Sequence, residues 1–257
     1  MLKKGIVLLF CTFLGLHAQF VDDDMDGVAN EDDLCPNSAL TDIVDAKGCA
    51  IDKVAFKKEH HFDLTLGYSY SRFDSDTSQH SQSLSLGYYY GNFSAYFYTY
   101  NYDLQNGESG IADSTLAVYY RQIDGQIAFK FGAGLYIPTS DALENKTDTF
   151  LSTKLTYYYQ KYDFTLNFQH TFMNDTNTVD TDRLAVSIGY VLSENTYISL
   201  SYSSQNSIYE NEGDIDTVAL YGSYYIDKHW FVSNEISLGL SESATDLYYI
   251  FNIGYYF

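Results

Sequence analysis

Basic residues are scarce in this chain, where Lys and Arg together number 14 against 34 Asp and Glu, for a formal charge of −20. That balance argues against nucleic acid as a partner, because its binding is dominated by neutralising phosphates with Lys and Arg. Long apolar runs are absent too. No segment approaches the roughly 20 apolar residues that a membrane-crossing helix needs. Cysteine is limited to Cys11, Cys35 and Cys49, proline to two residues and tryptophan to one. Tyrosine and phenylalanine, by contrast, supply 27 and 17 of the 257 residues. A soluble domain rarely needs so many tyrosines, whereas membrane interfaces favour rings with one apolar and one polar end.

The first residues, MLKKGIVLLFCTFLGLHAQF, carry two lysines, an uncharged run from Gly5 to Leu16, and then His17-Ala18. This is the pattern of a secretory signal peptide, expected over residues 1–18. Cys11 would leave with it. Loss of Lys3 and Lys4 would deepen the formal charge from −20 to −22. Export places Cys35 and Cys49 in an oxidising space, where they most simply pair with each other. The loop so closed is short, with an entropic contribution of about 3 kcal/mol.

From His60 onward the chain alternates. In FDLTLGYSY, residues 62–70, Phe62, Leu64, Leu66, Tyr68 and Tyr70 share one parity and Asp63, Thr65, Gly67 and Ser69 the other. A strand's side-chain period of two makes one face apolar and the other small and polar. The same grammar recurs through SLSLGYYY, NFSAYFYTYNY, STLAVYY, QIAFKFGAGLYI and so on to DLYYIFNIGYYF at residues 246–257. About twelve strands are expected, of the length that a tilted strand needs to cross a bilayer.

The links between strands carry a second pattern. Tight links stand around Gly91-Asn92, Asp124-Gly125, Lys161, Ser193-Glu194-Asn195 and Asp227-Lys228. Longer polar links are expected at residues 74–82, 105–113, 138–148, 174–181 and 207–215. Short turns on one side and long loops on the other is the asymmetry of an outer-membrane barrel. The last strand, with Tyr249, Phe251, Ile253, Tyr255 and Phe257 on one face, resembles the C-terminal strand of outer-membrane β-barrel proteins of Gram-negative bacteria. The resemblance covers residues 60–257 as architecture. It implies an all-β transmembrane antiparallel barrel of the cell outer membrane, surrounded by lipid and lipopolysaccharide and handed to the barrel-assembly machinery through the strand ending in Phe257.

Ahead of the barrel, VDDDMDGVANEDDLCP packs seven carboxylates into sixteen positions. Asp22, Asp24 and Asp26 fit positions one, three and five of a calcium loop, Gly27 the sharp turn at six, Val28 a backbone carbonyl at seven, Asn30 position nine and Asp33 position twelve. Hard oxygen ligands in this number favour calcium over zinc or copper. With the following LCPNSALTDIVDAKGCAID, the stretch resembles the thrombospondin type 3 repeat over residues 22 to about 52. The resemblance implies calcium as the cofactor, bound by Asp22, Asp24, Asp26, Asn30 and Asp33, with Cys35 and Cys49 as the staple. A repeat over residues 19–52 and a linker over 53–59 would then precede the barrel. Lying on the short-turn side, the repeat would be periplasmic, a rigid spacer or a docking point for partners there.

If Leu64, Leu66, Leu84 and Leu86 face lipid, the opposite parity lines the interior. That parity carries Asp63, Arg121, Lys130, Lys154, Asp163, Arg183 and Glu235, with Gln169 and Asn252. In a channel such charges set field and selectivity, and in a closed barrel they pair and fill space. The expected function is a narrow porin-like channel for small solutes or ions. The alternatives are a structural or surface-interaction protein acting through its acidic loops, and an outer-membrane enzyme acting on lipid. For the enzyme the candidate pairs are His80-Ser81, placed in the first long loop, and His170-Thr171; no catalytic assignment is made.

Overall fold

The computed structural model describes residues 60–73, 77–139, 146–175 and 178–257, together with Leu34. The expected signal peptide, calcium loop and cysteine pair lie outside these residues. Thirteen strands are described: β1 (His60–Arg72), β2 (Ser78–Tyr90), β3 (Phe93–Leu104), β4 (Ser109–Ile111), β5 (Ser114–Asp124), β6 (Ile127–Ile137), β7 (Asp148–Tyr159), β8 (Tyr162–Phe172), β9 (Thr181–Ser193), β10 (Thr196–Gln205), β11 (Ile215–Tyr225), β12 (Trp230–Gly239) and β13 (Leu247–Tyr256). Neighbours in sequence pair antiparallel, except that β4 and β5 both pair with β3, and β1 also pairs with β13, with Asp63 opposite Tyr256, so the sheet closes on itself. Closure leaves no sheet edge unpaired, which a strand protein in hydrocarbon requires.

Twelve positions make up the ring, because β4 and β5 both pair with β3 and share one of them. Asn101 stands opposite Ile111 while Tyr98 stands opposite Thr115, so the β4–β5 side has one residue more than its partner. That is a β-bulge, and Ala112 keeps the ladder going by donating its N–H to the Tyr100 carbonyl at 2.9 Å. Residues 105–113 are accordingly not a long loop. The chain turns over at Gln105–Glu108, where Gly107 at φ 90° allows Leu104 and Glu108 to meet across the hairpin at 2.7 Å. The first polar link is also shorter than expected, since β2 begins at Ser78 and contains His80 and Ser81. Polar side chains such as His80 and Gln82 occupy the lipid-side parity there, so hydrophobic alternation stops before the strand does.

Large apolar side chains of the described residues do not gather into an interior core. Among the described residues, the buried hydrophobic side chains are Ala112, Ala117, Ala128, Phe150, Ala219 and Ala244. Leucines, valines and phenylalanines stand on the outside instead: Leu66, Val118, Phe131, Leu151, Leu200 and Leu220 are each more than half exposed. Their registers put them on one continuous face, with Leu66 opposite Leu84, Tyr120 opposite Phe131 and Leu200 opposite both Ile188 and Leu220. Lipid is the environment in which such a surface is stable.

Aromatic pairs ring the short-turn rim of that face. Phe62 and Tyr88 lie 5.0 Å apart, Phe93 and Tyr120 5.1 Å, Tyr162 and Tyr190 4.8 Å, and Trp230 and Tyr255 4.9 Å between ring centroids. Rings that are apolar in body and polar at one edge settle at a membrane boundary. At the same rim the tight turns follow local chemistry. Gly91 and Gly125 take φ of 57° and 54°, and Gln160 takes 52° in the corresponding place before Lys161. In the β11–β12 turn the Asp227 carboxylate accepts the N–H groups of His229 at 2.7 Å and Trp230 at 2.8 Å. Those two bonds hold its pKa below the usual carboxylate range.

Candidate functional site: the inner wall of the barrel

Register decides what lines the interior. Because Leu64 and Leu66 face out, Asp63, Thr65, Gly67, Ser69 and Ser71 face in, and cross-strand pairing carries that parity round the ring. Arg121, Lys130, Lys154, Asp163, Arg183, Glu235, Gln169 and Asn252 all fall on this inward parity, with Asp63. Three of them are brought together. Arg121 stands directly opposite Lys130, and Lys130 directly opposite Lys154, in one row across β5, β6 and β7. The others are spread out: Asp163 near the short-turn end of β8, Arg183 near the long-loop end of β9, Glu235 in the middle of β12 and Asp63 on β1.

Parts of the inner wall are open to solvent. Arg121, Lys154 and Arg183 point inward and are nonetheless exposed, while Lys130, Asp163 and Glu235 are half-buried. Asp63 is the buried one, and its Oδ2 has no hydrogen-bond partner among the described residues. Ion pairs do not hold the row of cations, since the described ion pairs are those of His170 with Asp182 at 2.8 Å and Asp180 at 3.8 Å, on the outer face. Arg121 Nη2 donates instead to the Tyr158 hydroxyl at 3.0 Å. Lys130 Nζ lies 4.1 Å from the centre of the Tyr119 ring and 5.0 Å from that of Tyr96, within cation–π range. Lys154 opens onto a 340 Å³ cavity shared with Thr156, Tyr158, Asp163, Thr165 and Tyr197.

Sequence reasoning missed the tyrosines of this wall. Tyr96, Tyr98, Tyr100 and Tyr102 all take the inward parity of β3, next to Tyr89 on β2 and Tyr119 on β5. Tyr89 meets Tyr96 edge-on at 5.5 Å and Tyr96 meets Tyr119 at 5.6 Å, a run of rings beside the cations. The signal was present as four tyrosines of one parity in NFSAYFYTYNY. Phe93 and Phe97 of the opposite parity masked it, because aromatic content alone does not tell a lumen from a lipid interface.

The enzyme candidates do not converge. Adjacent residues of a strand point to opposite faces. His80 points outward and bonds the Tyr68 hydroxyl at 2.6 Å, while Ser81 is buried inside; His170 likewise faces out and Thr171 in.

An antiparallel barrel of twelve ring positions, apolar outside and polar and accessible inside, has the porin-like fold of outer-membrane proteins. Comparison with solved structures places the chain beside the COG4313 outer membrane channel from Pseudomonas putida F1, with a TM-score of 0.61 at 11% identity over 77% of this chain and 94% of that one. The KdgM porin aligns with a TM-score of 0.53 at 15% identity over 74% of this chain and 98% of that one. The same porin in complex with disordered oligogalacturonate gives 0.51 at 14% identity, over 75% and 98%. These likenesses are of fold. No family model and no curated protein matches the chain.

Proposed function

We propose that the protein is an outer-membrane channel that passes small solutes or ions. The observation that carries this reading is the solvent exposure of Arg121, Lys154 and Arg183 on the inward face, since a barrel filled by its own side chains would bury or pair them. A ring of this size supports it: eight strands leave room only for side chains and sixteen leave a wide channel. The apolar belt and aromatic rim support placement in the outer membrane, with short turns toward the periplasm and long loops outward. Both named structural neighbours are a channel and a porin, which agrees with passage and not catalysis. Liposomes carrying the refolded protein should swell in isotonic arabinose faster than in a trisaccharide. Swelling no faster than in protein-free liposomes would count against a channel.

The N-terminal segment is proposed to be a periplasmic calcium module. Asp22, Asp24, Asp26, Asn30 and Asp33 supply the hard oxygen set that calcium prefers, with the Val28 carbonyl, and Cys35 paired to Cys49 would staple it. Extracellular modules of this kind bind at roughly 10⁻⁴ to 10⁻³ M. Calorimetry on the oxidised full chain should show a calcium-binding heat that Asp24→Ala removes; superimposable titrations would dismiss the site.

A further inference from the structure

Three cations in one cross-strand row is an arrangement that sheet folding disfavours, because like charges directly opposite one another destabilise the pairing. Such a row, spanning about 10 Å over three strands, persists where something other than folding requires it. Its surroundings indicate what. No described carboxylate ion-pairs with Arg121, Lys130 or Lys154. Asp163, the inward carboxylate nearest in the register, sits over Gly189 beside the Tyr197 hydroxyl. Glu235 lies on β12, six ring positions from Lys130 on β6 in either direction, and Asp63 lies on β1. The cations therefore form a positive row with one carboxylate near it, Asp163 at the edge of the cavity that Lys154 lines, while Glu235 and Asp63 stand on other parts of the ring.

The same wall carries rings and hydroxyl groups. Tyr96 and Tyr119 flank Lys130, Tyr158 is held by Arg121, and Thr156 and Thr165 hydrogen-bond each other at 2.9 Å beneath Lys154. Lys154, Lys161, Tyr158, Thr156 and Thr165 border the 340 Å³ cavity at the short-turn mouth together with Asp163, so two ammonium groups face one carboxylate there. Cavities of about 300–1,000 Å³ with a few placed polar groups take small molecules. Charge at one point and aromatic faces beside it suit a ligand with a carboxylate on a ring, the ring lying against tyrosine and the carboxylate between ammonium groups.

We propose that the β5–β7 wall is a binding site for carboxylate-bearing ring compounds, either acidic sugars or aromatic acids, and that it makes the pore prefer anions. This step rests on the channel reading above for the selectivity, though not for the binding. In planar bilayers under a KCl gradient, the reversal potential of the refolded protein should have the sign of chloride preference. The Lys130→Glu, Lys154→Glu pair should reverse that sign, and the milder Lys130→Gln, Lys154→Gln pair should move it toward zero if the glutamate pair fails to fold. Glucuronate and benzoate, tested separately, distinguish the two sources of ligand, with glucose and benzyl alcohol as neutral counterparts. At least one acid should block current more than its neutral counterpart, and the glutamine pair should abolish the difference. A conducting pore that prefers potassium, or one that acid and neutral compound block equally, overturns the site. A folded, silent barrel that still binds either acid by calorimetry overturns the channel and keeps the site; one that is silent and binds neither overturns both.

Discussion

Replacing Leu200 with arginine is expected to cost about 2–4 kcal/mol of folding free energy in lipid vesicles, the depth-dependent penalty for a cation on the lipid face near mid-bilayer. Leu200 sits in the middle of β10, half exposed, with Ile188 and Leu220 on either side. Arginine there meets hydrocarbon, and its side chain is too far from either rim to escape without dragging water or bending the bilayer. The same substitution one residue on, Ser201→Arg, should leave folding within about 1 kcal/mol, because Ser201 shares the inward parity of Ser187 and Ala219. Urea unfolding in vesicles, read by intrinsic fluorescence, measures both. Equal losses at the two neighbours would mean that the barrel's faces are assigned wrongly.

A second large effect is expected where the inner wall leaves no room. A Cβ on Gly134 would run into the ring of Phe150 and come within 2.8 Å of the Leu116 carbonyl oxygen. Phe150 is buried and packs at 5.1 Å on Tyr136, and a backbone carbonyl cannot swing aside as a side chain does. Gly134→Ala should therefore destabilise by about 1–3 kcal/mol, the cost of overpacking. Gly222 has the opposite situation. Its Cβ would meet Asn234 Oδ1 at 3.4 Å and the Tyr197 carbonyl oxygen at 4.0 Å, both ordinary contacts, so Gly222→Ala should change stability by less than about 0.5 kcal/mol. The same vesicle unfolding assay separates them.

Much of the barrel can be read from local chemistry. FDLTLGYSY shows its two faces because alternation is a property of the strand itself, and Gly91-Asn92 marks its turn because a positive φ selects glycine. What could not be read depends on register between strands. The turn placed around Asp124-Gly125 is centred between Gly125 and Gln126, with Asp124 opposite Ile127. A shift of one residue in a turn moves the pairing by two, which decides whether Arg121 meets Lys130. The pairing of Lys130 with Lys154 depends on a link of ten residues, 138–147, whose length fixes no register. The row of cations was thus three separate charges in the sequence and becomes one site only in the closed sheet. The bulge between Ile111 and Ser114 hid β4 for a similar reason, since one extra residue reverses the alternation that would have revealed it.

Current through a single refolded molecule tests the central claim, a wet lumen running through the barrel. In a planar bilayer the full chain should insert with discrete, repeatable conductance steps, small for a ring of twelve positions. Steps that change in size when Arg121 or Lys130 is replaced by glutamate would tie the current to the inner wall. A barrel that is folded, inserted and electrically silent would contradict the account.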